Sequence, residues 1–308
     1  MNGKRAELGV DLGFMRLKNP VITASGTFGY GEEYKDLVDL NRLGGIAVKG
    51  LSLEPKEGNP PPRIIETPCG MLNAIGLANP GLKAFIEKKV PFLETLDTNI
   101  IVNIYGHSLT EYGAVAAGLK GIDAIDALEV NISCPNVEQG GMAFGTDPDT
   151  SARVTEEVLE KSDKPVIVKL SPNVTDIRVI AKAVQKAGAH AVSLINTLTG
   201  MSIDIESGRP ELFNLTGGLS GPAIRPVAVH MVYQVAQAVE IPVIGMGGII
   251  EYRDALEFLI AGARAVQVGT ANFVSPGVCA EIIEGMEEYL RVKDIPDING
   301  IIGTVKSA

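Results

Sequence analysis

Residues 127–136 read Ala-Leu-Glu-Val-Asn-Ile-Ser-Cys-Pro-Asn, an apolar run that ends in amides, a hydroxyl, a thiol and a proline. The part from 128 to 132 predicts a strand buried on both faces, as parallel strands are. Cys134 then follows the carboxyl end of this strand, where α/β barrels carry their chemistry. A thiol there can act as a nucleophile or a general base, but a free cysteine is most often a small buried apolar residue. The stretch alone leaves both interpretations open.

Seven further runs rich in Val, Ile and Ala share this character. They span residues 21–25, 45–49, 100–105, 166–170, 191–195, 243–246 and 265–269. The segments 150–162, 176–187 and 252–261 carry apolar residues at helical spacing and predict helices between the strands. Eight alternations of strand and helix predict the α/β class and a closed (β/α)8 TIM barrel, for which about 250 residues is typical. An open doubly wound sheet is the alternative, but its Gly-x-Gly-x-x-Gly turn does not follow the first strand.

The chain is longer than a minimal barrel, and the surplus residues fall in three places. Residues 1–20 predict an N-terminal β-hairpin that turns at Gly13 and plugs the amino-terminal end of the barrel. Two excursions, 50–98 and 196–240, follow the second and sixth strands. Because loops after strands lie on the active face of a barrel, we expect these insertions to build a substrate pocket. No linker interrupts the pattern, so the prediction is a single barrel domain over 1–308.

The composition favours a globular protein that binds neither nucleic acid nor membrane. The chain has 308 residues, is 45% hydrophobic and carries a formal net charge of −10, which disfavours anionic partners. No apolar run reaches the roughly 18 residues of a membrane span, and no secretory signal is recognisable. Three separated cysteines and three scattered histidines predict no disulfide framework, metal site or iron–sulfur site. These features favour a reducing, cytoplasmic compartment.

Polar residues and glycines follow the predicted strands in a ring. They are Ser25, Lys49, Asn103, Asn131 with Cys134, Lys169, Asn196 with Thr197, Gly247 with Gly248, and Gly269 with Thr270. Buried strands gain nothing from ending in Lys or Asn unless these groups find partners. We therefore expect a polar, planar ligand at this end of the barrel. A lysine here can form a Schiff base, pair with phosphate or stabilise negative charge on a flavin ring, and the spacing does not choose among these.

Glycines mark the loops after the seventh and eighth strands. Residues 245–248 read Gly-Met-Gly-Gly, and Gly269-Thr270 follows the eighth strand. Glycines let backbone N–H groups approach a ligand closely, and barrel enzymes commonly hold phosphate in these two loops. Residues 217–222 (Gly-Gly-Leu-Ser-Gly-Pro) could add a third loop to the same phosphate. The alternative is a set of tight turns that serve packing only.

Seven motifs in this order resemble the class 1 dihydroorotate dehydrogenases, FMN-containing (β/α)8 barrels of pyrimidine biosynthesis, over essentially the whole chain. They are residues 47–50 (Ala-Val-Lys-Gly), 73–77 (Asn-Ala-Ile-Gly-Leu), 131–136, 168–172 (Val-Lys-Leu-Ser-Pro), 195–197 (Ile-Asn-Thr), 245–248 and 269–270. The resemblance implies oxidation of (S)-dihydroorotate to orotate for UMP synthesis. It also implies that Cys134 is the general base that removes the C5 proton while hydride passes from C6 to flavin N5.

The resemblance further implies which residues bind the cofactor and the substrate. Flavin contacts would be Ser25, Lys49, Gly50, Asn103, Asn131, Lys169 and Ile195, with Gly221, Gly247, Gly248, Gly269 and Thr270 toward the phosphate. Substrate contacts would be Lys49, Asn73, Ala74, Ile75, Gly76, Leu77, Asn131, Asn196 and Thr197. Lys49 joins Cys134 as a catalytic residue because it would touch both molecules, and no metal is implied.

The segment after the cysteine indicates a subclass. Residues 137–141 (Val-Glu-Gln-Gly-Gly) are similar to the NAD-linked class 1B form, and Cys134 stands where class 2 relatives have serine. This form implies a partner subunit that carries FAD and a [2Fe-2S] cluster and passes electrons to NAD, in a heterotetramer built on a homodimer of catalytic chains. The alternatives are a fumarate-linked class 1A enzyme and a flavin barrel that oxidises another dihydropyrimidine. A colourless isomerase or aldolase that uses Lys49 or Lys169, and a non-catalytic barrel subunit, also remain open.

Overall fold

The computed structural model describes residues 6–133, 135–136 and 142–306, with the backbone alone at 135–136 and 142–143. The strands, in chain order, are β1 (Val10–Asp11), β2 (Arg16–Leu17), β3 (Val21–Thr23), β4 (Gly45–Leu51), β5 (Ile64–Thr67), β6 (Gly70–Asn73), β7 (Asn99–Ile104), β8 (Ala127–Asn131), β9 (Pro135–Asn136), β10 (Met142–Ala143), β11 (Val166–Lys169), β12 (Ala191–Leu194), β13 (Leu198–Gly200), β14 (Ile203–Asp204), β15 (Arg209–Pro210), β16 (Gly217–Ser220), β17 (Val243–Met246) and β18 (Ala265–Val268). The α-helices are α1 (Leu82–Lys88), α2 (Val90–Leu93), α3 (Leu109–Gly118), α4 (Pro148–Lys161), α5 (Ile177–Lys186), α6 (Arg225–Ala236), α7 (Tyr252–Ala261), α8 (Ala271–Val274) and α9 (Val278–Val292). Short 3-10 helices span Glu32–Tyr34, Leu40–Arg42, Phe144–Thr146, Pro222–Ile224 and Ile298–Ile301.

Eight parallel strands close into a barrel. Their order in space is β3, β4, β7, β8, β11, β12, β17 and β18, and β18 pairs with β3 to close the ring. All four residues of β11, β12, β17 and β18 are buried, which is why these strands read as continuous apolar runs. The (β/α)8 prediction is confirmed, and each predicted strand matches its observed bounds to within two residues.

Amphipathic helices cover the outside of the barrel. The predicted helices at 150–162, 176–187 and 252–261 correspond to α4, α5 and α7. In α5, Ile177, Ile180, Ala181 and Val184 are the buried residues, and the Asp176 side chain caps the first turn by accepting from the Arg178 N–H. Helix α7 ends at Ala261 and is followed by Gly262, whose φ of 115° is the left-handed C-terminal geometry that glycine adopts freely. None of the helices in the described ranges is both long and apolar enough to cross a membrane.

The N-terminal hairpin lies at the amino-terminal end of the barrel. Strands β1 and β2 pair antiparallel, and Gly13 occupies the turn with a φ of 81°. The Arg16 carbonyl accepts a hydrogen bond from Asn99, the first residue of β7, at 3.1 Å. The Phe14 ring packs in a T-shaped arrangement against the ring of His190, which directly precedes β12, at a centroid distance of 5.8 Å. The described part of the hairpin therefore sits where the sequence placed it.

The two predicted excursions meet in one sheet. Strands β5 and β6 of the first and β13 and β16 of the second form a four-stranded antiparallel sheet in the order β13, β16, β6, β5. We call it the cover sheet. The remainder of each excursion contains ordinary helix, namely α1 and α2 in 50–98 and α6 in 196–240. Each excursion therefore contains both cover-sheet strands and helix within the interval that the sequence marked.

Candidate active site

A cavity of about 1000 Å³ opens at the carboxyl ends of the barrel strands, beneath the cover sheet. It is lined by every predicted site residue that the structure describes. These are Ser25, Lys49, Gly50, Asn73, Ala74, Ile75, Gly76, Leu77, Asn103, Asn131, Lys169, Ile195, Asn196, Thr197, Gly221, Gly247, Gly248, Gly269 and Thr270. Cys134 lies outside the described residues. The fold therefore gathers, in one chamber, residues that are up to 245 positions apart in the sequence.

The polar floor of the cavity consists of Ser25, Asn103 and Lys169, with Glu129 beneath them. The Lys169 ammonium donates to Ser25 Oγ at 3.1 Å, and Ser25 Oγ donates to Glu129 Oε2 at 3.3 Å. Asn103 Nδ2 donates to the same carboxylate oxygen at 2.7 Å. Lys169 is only 5% exposed, so its position is fixed by these contacts and by packing. The floor presents one ammonium group in a defined place.

Glu129 is a site residue that sequence reasoning missed. Burial raises its pKa most strongly, but the Lys169 charge and hydrogen bonds from Ser193, Gln267 and Asn103 outweigh burial and leave the pKa lowered. The carboxylate is therefore ionised at neutral pH. A lone Glu inside the apolar run 127–130 was the available signal, since a charge inside a buried strand needs partners.

Lys49 enters the cavity through an irregularity in β4. The pairing of β4 with β7 shifts register between Val48 and Leu51, which is the effect of a β-bulge. The Lys49 N–H donates to Gly29 O at 2.8 Å instead of to the neighbouring strand. Burial, and then the Arg63 charge, lower the pKa of the Lys49 ammonium. Both effects penalise this positive charge, so an anion bound beside it would be stabilised.

Three amide side chains on separate elements surround the same region. Asn131 Oδ1 accepts from Asn196 Nδ2 at 3.2 Å and from the Ser133 N–H at 3.2 Å. Asn196 Oδ1 accepts the Thr197 N–H at 2.8 Å, and Asn73 Nδ2 donates to Gly218 O at 3.1 Å. Because Asn131 Oδ1 already accepts two hydrogen bonds, the NH2 group of Asn131 is the part that can donate to a ligand. These contacts orient the amides before any ligand arrives.

Buried side chains clamp the predicted substrate loop 73–77 from behind. The Leu77 carbonyl accepts from Asn79 Nδ2 at 2.9 Å and from the Tyr105 hydroxyl at 3.0 Å. Leu77 has a φ of 60°, an uncommon value for a non-glycine residue, which this clamp and Gly76 beside it maintain. Asn79 and Tyr105 were missed at the sequence level, because their partner is a backbone atom that no pattern identifies.

The glycine end of the cavity consists of Gly221, Gly247, Gly248 and Gly269 with Thr270. Gly221, Gly247 and Gly248 have φ values of 93°, 130° and 76°. A Cβ on Gly248 would lie 2.8 Å from Gly221 O and 2.8 Å from Arg225 Cβ. At Gly221, Gly247 and Gly248 both the conformation and the space exclude side chains, so backbone groups line this part of the wall, as at phosphate sites.

The other two cysteines, and His107, were not among the predicted site residues. Cys69 is exposed and lines the cavity, whereas Cys279 is buried and its pKa is raised to about 12 by burial. His107 Nε2 lies 2.6 Å from Lys56 Nζ. Across the described ranges, no group of three His, Cys, Asp or Glu side chains could hold a metal ion.

The chain matches a family model described as "Dihydroorotate dehydrogenase" over residues 8–290. It is 57% identical over 299 residues to a protein of Thermoanaerobacter pseudethanolicus (97% of this chain, 99% of the relative) and 58% identical over 301 residues to one of Geotalea uraniireducens (98% and 99%). A protein of Desulforamulus reducens is 59% identical over 299 residues (97% and 98%). All three are named "Dihydroorotate dehydrogenase B (NAD(+)), catalytic subunit", which confirms the predicted resemblance to the NAD-linked form. The chain belongs to the dihydroorotate dehydrogenase family of enzymes.

Proposed function

We propose that the chain is the catalytic subunit of an NAD-linked enzyme that oxidises (S)-dihydroorotate to orotate in UMP synthesis. The observation that carries the proposal is the cavity itself. It places ammonium and amide groups at one end and glycine backbone at the other, around a volume of about 1000 Å³. That volume is at the upper limit of ordinary ligand pockets, which suits a flavin together with a small substrate.

The described residues fit FMN. The glycine end offers backbone to a phosphate, because Gly221, Gly247 and Gly248 leave no room for side chains. The polar floor offers the Lys169 ammonium and the Asn103 amide to the polar edge of a planar ring. FMN, when bound here, would accept the hydride that leaves C6 of dihydroorotate. We include the other predicted flavin contacts, Ser25, Lys49, Gly50, Asn131, Ile195, Gly269 and Thr270, in this proposal.

The same cavity suits a carboxylated dihydropyrimidine. The Lys49 ammonium would pair with the carboxylate, and the NH2 groups of Asn73 and Asn131 would donate to ring carbonyls. Asn196 Oδ1 already accepts one hydrogen bond and has a second lone pair for a ring N–H. Residues 74–77 and Thr197 complete the proposed substrate contacts.

Cys134 is the proposed general base that takes the proton from C5. An unperturbed thiol has a pKa of about 8.5 and is mostly protonated at neutral pH. Substrate oxidation should therefore accelerate as the pH rises through the thiol pKa. Removing the thiol in Cys134→Ala should slow the reaction by roughly 10²–10⁴-fold, the usual contribution of a general base.

The relatives are named as catalytic subunits, and we extend this role to the chain. We propose one FMN-binding barrel domain over 1–308, paired as a homodimer within a cytoplasmic heterotetramer. A second subunit with FAD and a [2Fe-2S] cluster would carry electrons to NAD. NAD reduction should then require co-expression with that subunit, while flavin reduction should not. Fumarate reduction by the isolated chain would favour the class 1A alternative instead.

An anaerobic spectrum tests the proposal directly. The purified chain should be yellow, should bleach when dihydroorotate is added, and should bleach far more slowly as Cys134→Ala. A yellow protein that bleaches with dihydrouracil but not with dihydroorotate would show that the substrate is another dihydropyrimidine. A chain that stays colourless after FMN is added would support the hypothesis of an isomerase or aldolase.

A further inference from the structure

Glu129 is a buried carboxylate that the proposed chemistry leaves without a role. It lies within β8 and is 0% exposed. Ser193 of β12 and Gln267 of β18 donate to Glu129 Oε1 at 2.8 and 2.7 Å. Asn103 of β7 donates to Oε2 at 2.7 Å. Three strands thus supply donors to one ionised group at the centre of the barrel, which is the arrangement that a buried charge requires.

The carboxylate is connected to the cavity through Lys169. The Lys169 Nζ lies 3.8 Å from Glu129 Oε2, and Ser25 bridges them with distances of 3.1 and 3.3 Å. The Ser25 hydroxyl has a single hydrogen, which it gives to the carboxylate while it accepts from the ammonium. Among the described residues, Ser25 is the one hydrogen-bond acceptor that the ammonium has. Two of its three N–H bonds can therefore serve a molecule in the cavity.

We propose that Glu129 is a positioning residue that acts through Lys169, holding the ammonium at the polar floor and offsetting its charge there. The inference rests on the proposed function, because the molecule that senses this charge is bound FMN. A reduced flavin carries more negative charge than an oxidised one. The Lys169 charge therefore favours reduction and the Glu129 charge opposes it, and the low dielectric of the barrel interior strengthens both effects. Together they set the reduction potential at the floor.

The test measures the midpoint potential of bound FMN in three variants of the full chain. Glu129→Gln should raise the potential and Lys169→Met should lower it. Each change should be at least tenfold in the equilibrium between the oxidised and reduced states, or about 30 mV for a two-electron couple. Ser193→Ala is the matched control, because it removes one donor to Glu129 and leaves both charges in place. It should lower thermal stability and move the equilibrium by less than about threefold.

Unfolding of the chain without flavin provides a second, independent readout. Glu129→Gln and Lys169→Met each leave one buried charge unpaired, so the unfolding midpoint of each should fall by roughly 6 °C or more. The double variant Glu129→Gln/Lys169→Met leaves neither charge unpaired, so its unfolding midpoint should be higher than that of either of these single variants. A single variant that fails to fold while the double variant folds would equally support the pairing of Glu129 with Lys169.

Two results would overturn the inference. One is a pair of potential shifts that share a sign or do not exceed that of Ser193→Ala. The other is a double variant whose loss of stability equals the sum of the two single losses. Failure of the proposed function is distinct from both. A chain that binds no FMN would leave the unfolding measurements to decide the pairing, and a chain that binds FMN but oxidises another dihydropyrimidine would leave both readouts usable.

Discussion

The two ends of the cavity are built by opposite means. At the polar floor, Lys169 and Asn103 are held in place by other side chains, above all by Glu129 and Ser25. At the glycine end the wall consists of backbone, since a Cβ added to Gly248 would lie only 2.8 Å from Gly221 O and from Arg225 Cβ. The polar floor is defined by paired charges, and the glycine end is defined by the lack of room for side chains.

This contrast indicates how each end would fail. The floor should tolerate substitutions that keep its charges paired and should respond strongly when one charge is removed. The glycine end carries no side-chain charge to remove, so it should respond to any added atom, however apolar. The following predictions separate the two behaviours, beginning with the largest effect.

Lys49→Met should reduce kcat/KM for dihydroorotate by roughly 10²–10³-fold, the usual effect of removing one preorganised electrostatic contact. The substitution retains most of the side-chain length and removes only the charge. Steady-state or stopped-flow kinetics would measure the effect. Lys18→Met is the control, because Lys18 pairs with exposed Asp97 and lies outside the cavity lining. An activity within threefold of the unsubstituted chain would remove Lys49 from the substrate site.

Gly248→Ala should weaken FMN binding by roughly 100-fold, because the backbone must move to accommodate one methyl group. Flavin fluorescence titration would measure the affinity. Gly208→Ala is the matched control, since Gly208 also has a positive φ of 66° but nothing lies within 4 Å of its added Cβ. Equal losses in both variants would mean that backbone strain, not contact at the glycine end, causes the effect.

The pH dependence of KM tests the role of the Lys49 charge in a second way. The pKa of Lys49 is lowered from the ordinary value of 10.5, chiefly by burial and further by the Arg63 charge. Between neutral pH and 10.5 the ammonium therefore loses its proton earlier than an exposed lysine would, and its attraction for the substrate carboxylate is lost. The KM should rise in that interval, by up to about tenfold, and the KM of Lys49→Met should not follow it. Parallel profiles for the two proteins would contradict this role.

The smallest effects are expected at the two remaining cysteines. Cys279→Ala should change kcat by less than about twofold, because its thiol is buried with a pKa of about 12 and lies outside the cavity lining. Cys69→Ala should change kcat equally little, although Cys69 lines the cavity. Loss of the C5 proton-transfer step in either variant would contradict the assignment of the base to Cys134.

The sequence predicted the barrel well because buried parallel strands are recognisable one at a time. The run at 166–170 needs no information about its neighbours to be identified as β11. The cover sheet was different. Strands β6 and β16 pair with each other across an interval of more than 140 residues, with Asn73 opposite Gly218. Neither strand is buried throughout, so neither carries the apolar run that would have marked it.

The candidate site divides in the same way. Lys49 and Lys169 were identified because each ends an apolar run, and so were Asn103, Asn131 and Asn196. Asn73 was identified only through the resemblance to the family. Glu129 was overlooked because it lies inside a run, and its significance depends on partners from three other strands. Asn79 and Tyr105 were overlooked because they hold the Leu77 backbone, which is visible only in the folded chain. The sequence pattern identifies side chains that face the cavity, whereas the side chains that hold them in place are recognisable only in the folded structure.

A crystal structure of the chain with FMN and orotate would test the central claim most directly. The account predicts the phosphate against Gly221, Gly247 and Gly248, the flavin ring against Lys169, and the orotate carboxylate beside Lys49. A phosphate bound at the polar floor, or orotate bound outside the cavity, would contradict the division of the cavity into a charged end and a glycine end.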